Sequence, residues 1–239
     1  MQGSIMESPK YNRTFHFPFS PGATNDDKIA TSMDKLIGVP IILTEKMDGS
    51  NTSLETAGCF ARTHAGAPTH ASFSPLKAMH ASLKWQIQNG MQYFGEWCYA
   101  KHSIEYSELP GYFLLFGIRI LEGTMIPTVY HPMDHSLWVS WERVEKQAKE
   151  LSLSTVPVLF KGTVSSEKEL QELVESFMNQ PSACGGIREG VVARVARAFS
   201  DEEFSICIMK CVRANHVQTS EHWKDQEIIK NKLMDNKGT

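Results

Sequence analysis

Hydrophobic and polar positions change rhythm several times along the chain, and those changes mark out its elements. The first 26 residues, rich in Pro, Ser, Asn and Gly, hold no sustained period and read as an irregular arm over the surface. Asp26-Asp27 then opens a short predicted helix carrying Ile29, Met33 and Leu36, stopped at Gly38. Val39 to Lys46 (VPIILTEK) is a near-continuous apolar run of strand length, the pattern of a buried strand. A second strand around Asn51–Leu54 returns through Ala57-Gly58 into Cys59–Thr63. Ser74-Pro75 starts a helix with Leu76, Met79, Leu83 and Ile87 on one face, closed by Gly90. Period-two segments predict strands at Gln92–Tyr99, Tyr112–Leu121 and Met125–Tyr130.

The period lengthens again over Trp141–Leu153, a helix with a charged outer face. Ser166-Glu167-Lys168-Glu169 has the capping-box pattern, backed by a stripe of Leu170, Leu173, Val174 and Phe177. Gly190–Arg197 and Phe204–Arg213 read as paired strands, and Ser220 to Leu233 as a charged helix. Strands grouped in hairpins with helices inserted between the groups favour an α+β fold on antiparallel sheet, with helices packed on the sheets. Without repeats or low-complexity linkers, residues 1–239 are expected to form one domain, the arm covering about 1–26.

Composition narrows the class. Hydrophobic residues at 41% and charged residues at 21% exclude a disordered or collagen-like chain. A formal charge of −3 excludes a polycation that coats nucleic acid without selectivity, though a local basic groove remains compatible with it. The five cysteines, odd in number and without a CxxC pair, read as reduced thiols. No apolar run has membrane length and the start of the chain lacks a signal-peptide pattern, so a soluble cytoplasmic protein without membrane partners is expected.

The chemistry concentrates in Thr44-Glu45-Lys46-Met47-Asp48-Gly49-Ser50-Asn51. A strand delivers a lysine with a carboxylate two residues on, sharing its face by the period of two, before a glycine turn. A lysine becomes a nucleophile only when deprotonated, which asks for burial, neighbouring cations or a metal-bound phosphate; a surface lysine before an Asp-Gly turn is the plain alternative. Later segments supply a set of partners: Arg62 at the end of a hairpin strand, Phe94-Gly95-Glu96, Leu114–Ile118 with Phe116, Arg188-Glu189-Gly190-Val191-Val192, and Ile208-Met209-Lys210-Cys211-Val212-Arg213. Together they offer a lysine nucleophile, cations for a triphosphate, carboxylates for a metal and a ribose, and a ring for a base.

The order and spacing of these segments resemble the covalent nucleotidyltransferase superfamily of polynucleotide ligases and capping enzymes. Lys46-Met47-Asp48-Gly49 resembles its motif I, Phe94-Gly95-Glu96 motif III, Leu114–Ile118 motif IIIa, Glu189–Val192 motif IV, and Lys210 the start of motif V. Asn51, where DNA ligases and capping enzymes usually carry arginine, is similar to the RNA ligase 2-like family. The resemblance implies an antiparallel-sheet adenylation domain, an ATP-grasp-like ligase catalytic domain, acting as an ATP-dependent RNA ligase. Lys46 would take AMP from ATP, pass it to an RNA 5′-phosphate, and a 3′-hydroxyl would then seal the strand, as in RNA repair. The cofactors implied are ATP and Mg2+, with Mn2+ able to substitute.

By the same resemblance Lys46, Lys210 and Asp48 are the catalytic candidates. Glu45, Arg62, Glu96, Phe116, Glu189 and Lys210 would bind ATP, Asn51, Arg62 and Arg213 would contact RNA, and Glu189 with Asp48 would serve the metal. Lys210 is expected to keep Lys46 neutral through like-charge repulsion. The second motif V lysine is replaced by Val212, so a bulge must re-aim Arg213, or Lys101 or Arg194 must serve instead. Little chain follows, so a catalytic domain without an appended C-terminal domain is expected, working with RNA ends and with a homodimer partner or accessory protein. A DNA ligase, an RNA-capping guanylyltransferase and a catalytically idle RNA-end-binding protein are the alternatives. Two further segments invite lesser readings: 19–24 as a phosphate loop, and His131 with His135 as metal ligands, each better explained as an ordinary turn.

Overall fold

A computed structural model describes residues 8–62, 67–124, 135–214 and 227–235. Its strands are β1 (Phe15–His16), β2 (Pro40–Lys46), β3 (Ser50–Glu55), β4 (Gly58–Ala61), β5 (Met91–Trp97), β6 (Phe113–Ile120), β7 (Leu137–Trp138), β8 (Ser154–Thr155), β9 (Val158–Thr163), β10 (Gly190–Val195), β11 (Phe199–Ser200) and β12 (Ile208–Val212). The helices are α1 (Ser74–Leu83), α2 (Trp141–Glu150), α3 (Glu167–Met178) and the single turn α4 (Phe204–Cys207). Five strands form one sheet in the order β1-β12-β10-β2-β9. The other sheet runs β11-β7-β6-β5-β3-β4, with β8 beside β6. Pairing is antiparallel except for β1 with β12 and β6 with β8. The α+β expectation therefore holds.

The apolar run of β2 reflects cover on both faces. Ile41 and Leu43 belong to one hydrophobic cluster, together with Val191, Ala193 and Met209; Ile42 belongs to the other, with Tyr93, Leu115 and Trp141. At Lys46 the run ends, and Met47–Gly49 carries the chain into the second sheet at Ser50. A Cβ on Gly49 would lie 2.7 Å from the Trp97 carbonyl oxygen, so the crossing needs glycine. Ser166 caps α3 by accepting from the Glu169 amide, but the Glu169 carboxylate turns back to Ser165, one residue earlier than in the predicted box.

Several elements depart from expectation. Residues 28–30 pair with β1 (His16 N to Lys28 O at 2.7 Å, Ala30 N to His16 O at 2.8 Å), which leaves only a 3-10 turn at Asp34–Leu36 where a helix was predicted. The arm is not a surface feature over its second half: Phe17 is fully buried and β1 extends the five-stranded sheet. The helix from Ser74 stops at Leu83, and the strand predicted from Phe204 begins at Ile208 after α4. Residues 227–233 are not helical. Buried Asn231 accepts from the Tyr106 amide at 2.8 Å and donates to the Cys98 carbonyl at 2.9 Å, holding this segment extended along 98–109. The predicted strand Met125–Tyr130, His131 and residues 220–226 lie outside the described residues. Among the described residues, no helix is long and apolar enough to cross a membrane.

Candidate functional site

The crossing from Lys46 to Ser50 puts consecutive parts of one motif on different sheets, and a cleft of about 1090 Å³ opens between them. On the five-stranded side β2, β10 and β12 are neighbours. Lys46 pairs in register with Gly190, which sets Glu189 beside it, and Val192 pairs with Lys210. Lys46 Nζ donates to both Glu189 carboxylate oxygens at 2.7 Å. On the seven-stranded side β3, β5 and β6 are neighbours, and Asn51 pairs in register with Glu96.

Phe116 reaches the cleft through a β-bulge. Phe94 pairs with Gly117 and Gly95 with Leu115, so Phe116 is the extra residue of β6 and its ring is re-aimed. A Cβ on Gly95 would lie 2.3 Å from the Phe113 ring, which explains the glycine opposite the bulge.

The charges are tightly coupled. Burial alone would lower the Lys46 pKa, but the carboxylates of Glu189, Glu96 and Asp48 together raise it above the ordinary value. For Glu96, burial first and then the charges of Glu189 and Asp48 push the carboxyl up to about 8, against the opposing pull of Lys46. Lys210 is the lysine whose pKa falls, through burial and then through the charge on Lys46. Lys46 thus sits among carboxylates that favour its charged form, whereas burial and the Lys46 charge disfavour the charged form of Lys210.

The remaining candidates divide clearly. Arg62 lines the cleft and is exposed. Asp48 also lines it, but Oδ2 accepts from the Ser103 and Ile104 amides, each at 2.7 Å, and its own amide donates to the Tyr106 hydroxyl. It therefore ties the crossing to the 103–106 loop. Glu45 is 1% exposed; Oε2 accepts from the Ala183 amide at 2.9 Å and lies 3.4 Å from Arg188 Nε. Its Oε1 has no hydrogen-bond partner among the described residues, and neither has the side-chain oxygen of Asn51.

Arg213 is not among the cleft-lining residues. The β10–β12 register is unbroken through Val212, so no bulge turns Arg213 inward. Lys101 is likewise outside the lining and pairs with Glu105 at 3.3 Å. Arg194 lines the cleft, but it is buried and donates to the Val139 carbonyl at 2.7 Å.

Among the described residues, no group of three or more His, Cys, Asp or Glu side chains is arranged to hold a metal ion. A hydrated Mg2+ needs no such cage, because it keeps most of its waters and takes one or two carboxylates plus substrate phosphate. Glu189 at the charged wall fits that role. Sequence reasoning missed Tyr11, Arg13, Asp27, His70 and His102, which also line the cleft. Their positions follow from long-range packing, and Tyr11, Arg13 and Asp27 lie in or beside the stretch read as a surface arm.

A family model described as RNA ligase matches residues 39–212. The chain belongs to the RNA ligase family. That stretch carries both walls of the cleft. Comparison with curated proteins gives no match. Among solved structures, a variant of Naegleria gruberi RNA ligase with ATP and Mn superposes with a TM-score of 0.53 at 15% identity, covering 91% of this chain and 63% of that one. A second variant with ATP and Mn gives 0.51 at 16% identity, covering 78% and 53%. An apo variant gives 0.53 at 15% identity, covering 91% and 60%. At this identity the likeness concerns the fold. The chain spans between half and two thirds of the length of these relatives.

Proposed function

We propose that this RNA ligase family member is an ATP-dependent RNA ligase that works through a lysyl-AMP intermediate on Lys46. The observation that carries the reading is the bidentate contact of Lys46 with Glu189 in a cleft whose facing wall holds Asn51, Glu96 and Phe116. The Naegleria relatives bound to ATP and Mn support the choice of nucleotide and ion class.

In the first step the Nζ lone pair attacks the α-phosphorus of ATP, a phosphorus–nitrogen bond forms, the bridging phosphorus–oxygen bond breaks, and pyrophosphate leaves. The ammonium must first lose a proton, and Glu189, at 2.7 Å from Nζ, is placed to accept it. Lys210 then stabilises charge on the α-phosphoryl oxygens. Glu96, its carboxyl pushed up to about 8 mainly by burial, is placed to hydrogen-bond the ribose hydroxyls. The face of Phe116 stacks on adenine, and Glu45 Oε1 is an open acceptor for an exocyclic amine. A divalent cation on Glu189 would neutralise phosphoryl charge. In the later steps AMP passes from Lys46 to an RNA 5′-phosphate, and a 3′-hydroxyl displaces it. The unpartnered oxygen of Asn51 is an acceptor for a terminal ribose hydroxyl and supports RNA over DNA. We assign the protein to RNA repair, among RNA ligase 2-like enzymes.

Intact mass after incubation with ATP and magnesium tests the first step. One AMP adduct is expected on the wild type and none on Lys46→Ala; an adduct retained by that variant refutes the assignment. Labelling by GTP instead would indicate capping, and preference for an all-DNA nick a DNA ligase. A second reading has its own support: with Val212 in place of a lysine and Arg213 outside the cleft, a catalytically idle RNA-end-binding protein would bind RNA yet form no adduct.

A further inference from the structure

Tyr11 lies outside the residues matched to the family, yet it lines the cleft. Its ring meets Phe116 edge-on, with centroids 5.3 Å apart and planes at 80°. It also packs against Phe94, Trp138 and Phe204 at 5.2 to 5.4 Å, so one side chain joins β5, β6, β7 and α4. Its hydroxyl does little of the holding, the Thr14 hydroxyl standing 3.5 Å away.

The neighbours of Tyr11 are held by Arg119, three residues beyond Phe116 on β6 and 1% exposed. Arg119 Nη2 donates to the carbonyls of Pro9 and Lys10, each at 2.9 Å. Nη1 donates to Asn12 Oδ1 at 2.7 Å and to the Asp201 carboxylate at 3.2 Å, and Nε to Gln92 Oε1 at 2.8 Å. Asn12 and the Trp138 indole donate to the same Asp201 oxygen at 3.2 and 2.6 Å. The guanidinium also sits 5.3 Å from the Phe94 ring and 5.2 Å from the Trp138 ring. A planar fork can bridge two carbonyls, two side-chain amides and a carboxylate at once; an ammonium cannot. A bulged residue lacks the ladder support that fixes its neighbours, so the orientation of the Phe116 ring depends on what packs against it.

We propose that Tyr11 and Arg119 are positioning residues for the nucleotide base: Arg119 clamps residues 9–12 to the seven-stranded sheet, and the Tyr11 ring, nearly perpendicular to that of Phe116, holds the bulged Phe116 ring square to the incoming base. The proposal rests on the reading of the cleft as an ATP site. It places part of the base subsite in a segment beyond the family-matched region, acting through contacts that leave the nucleophile untouched.

Calorimetric titration of the full chain with α,β-methylene ATP, which cannot release pyrophosphate, tests it without chemistry. Tyr11→Leu and Arg119→Lys are expected to weaken binding about fivefold, the scale of one aromatic pair, while Tyr11→Phe binds as the wild type does. In a Phe116→Ala background, Tyr11→Leu is expected to add nothing, an outcome that a merely structural role would not produce. Melting curves identify any variant that fails to fold; Asn12→Ala, which removes one strand of the clamp, then replaces it and is expected to weaken binding in the same direction. Wild-type affinity in a folded Tyr11→Leu or Asn12→Ala protein, or full additivity with Phe116→Ala, overturns the proposal alone. A wild type that binds no analogue overturns the ATP reading and the proposal with it.

Discussion

On the five-stranded side of the cleft, β2, β10 and β12 with their adjoining residues present Lys46, Glu189 and Lys210; on the seven-stranded side, β3, β5 and β6 present Asn51, Glu96 and Phe116. The first wall is charged and its two ladders run in unbroken register. The second is polar and aromatic, and its ladder is interrupted by a bulge at the residue that faces the cleft. Phosphoryl transfer demands that nucleophile and cations keep fixed separations, which continuous ladders provide. A base and a ribose are met by a ring and by hydrogen-bonding groups whose aim matters more than their spacing, and a bulge supplies that aim.

The sharpest way to break the comparison is at Lys46. Lys46→Ala should abolish adduct formation, while fluorescent RNA is still bound, since the opposite wall is intact. Glu189→Gln should follow, lowering the rate of adduct formation about a hundredfold through loss of the proton acceptor and of the metal-side charge. Single-turnover adenylation measures it, and a change below about threefold would remove Glu189 from the mechanism. On the other wall Phe116→Ala should instead raise KM for ATP about tenfold, the scale of one base–ring stack, with kcat nearly unchanged. A fall in kcat of similar size would show that the two walls are not separable.

The two walls were also unequally legible in the sequence. Lys46, Asp48 and Asn51 stand within six residues around a glycine turn, so local pattern located them, while Glu189, just before β10, and Lys210, in the middle of β12, were reached through the order of the motifs. Phe116 was found through its motif, but the bulge that aims it arises from pairing with β5 and leaves no trace in period two. Arg119 was unreadable: in the run from Phe113 to Ile120 it looks like a solvent-facing residue, and its burial depends on carbonyls more than a hundred positions away. Asn231 is a similar case, a polar residue within a stretch read as a charged helix whose place is set by unpaired backbone groups at 98–106. The opposite shifts of Lys46 and Lys210 had the same origin. Sequence showed that two lysines would be near each other but not that three carboxylates would surround one of them.

Glu96 offers the smallest and most discriminating effect, because it couples the walls. Its carboxyl is pushed up to about 8 by burial and by Glu189 and Asp48, from an ordinary value of 4.5. Between those two values the folded protein retains a proton that the unfolded chain has released. Stability therefore falls as pH rises through this window, the unfolded state binding fewer protons. Glu96→Gln removes the titrating group while preserving shape, so its melting temperature should vary less than that of the wild type between about pH 5 and 8. Melting curves across that range measure it, with Asp48 and Glu189 left in place so that the rest of the charge cluster is common to both proteins. Equal slopes would mean that Glu96 is ionised throughout, its charge matched by Lys46, and that the seven-stranded wall carries charge as the five-stranded wall does.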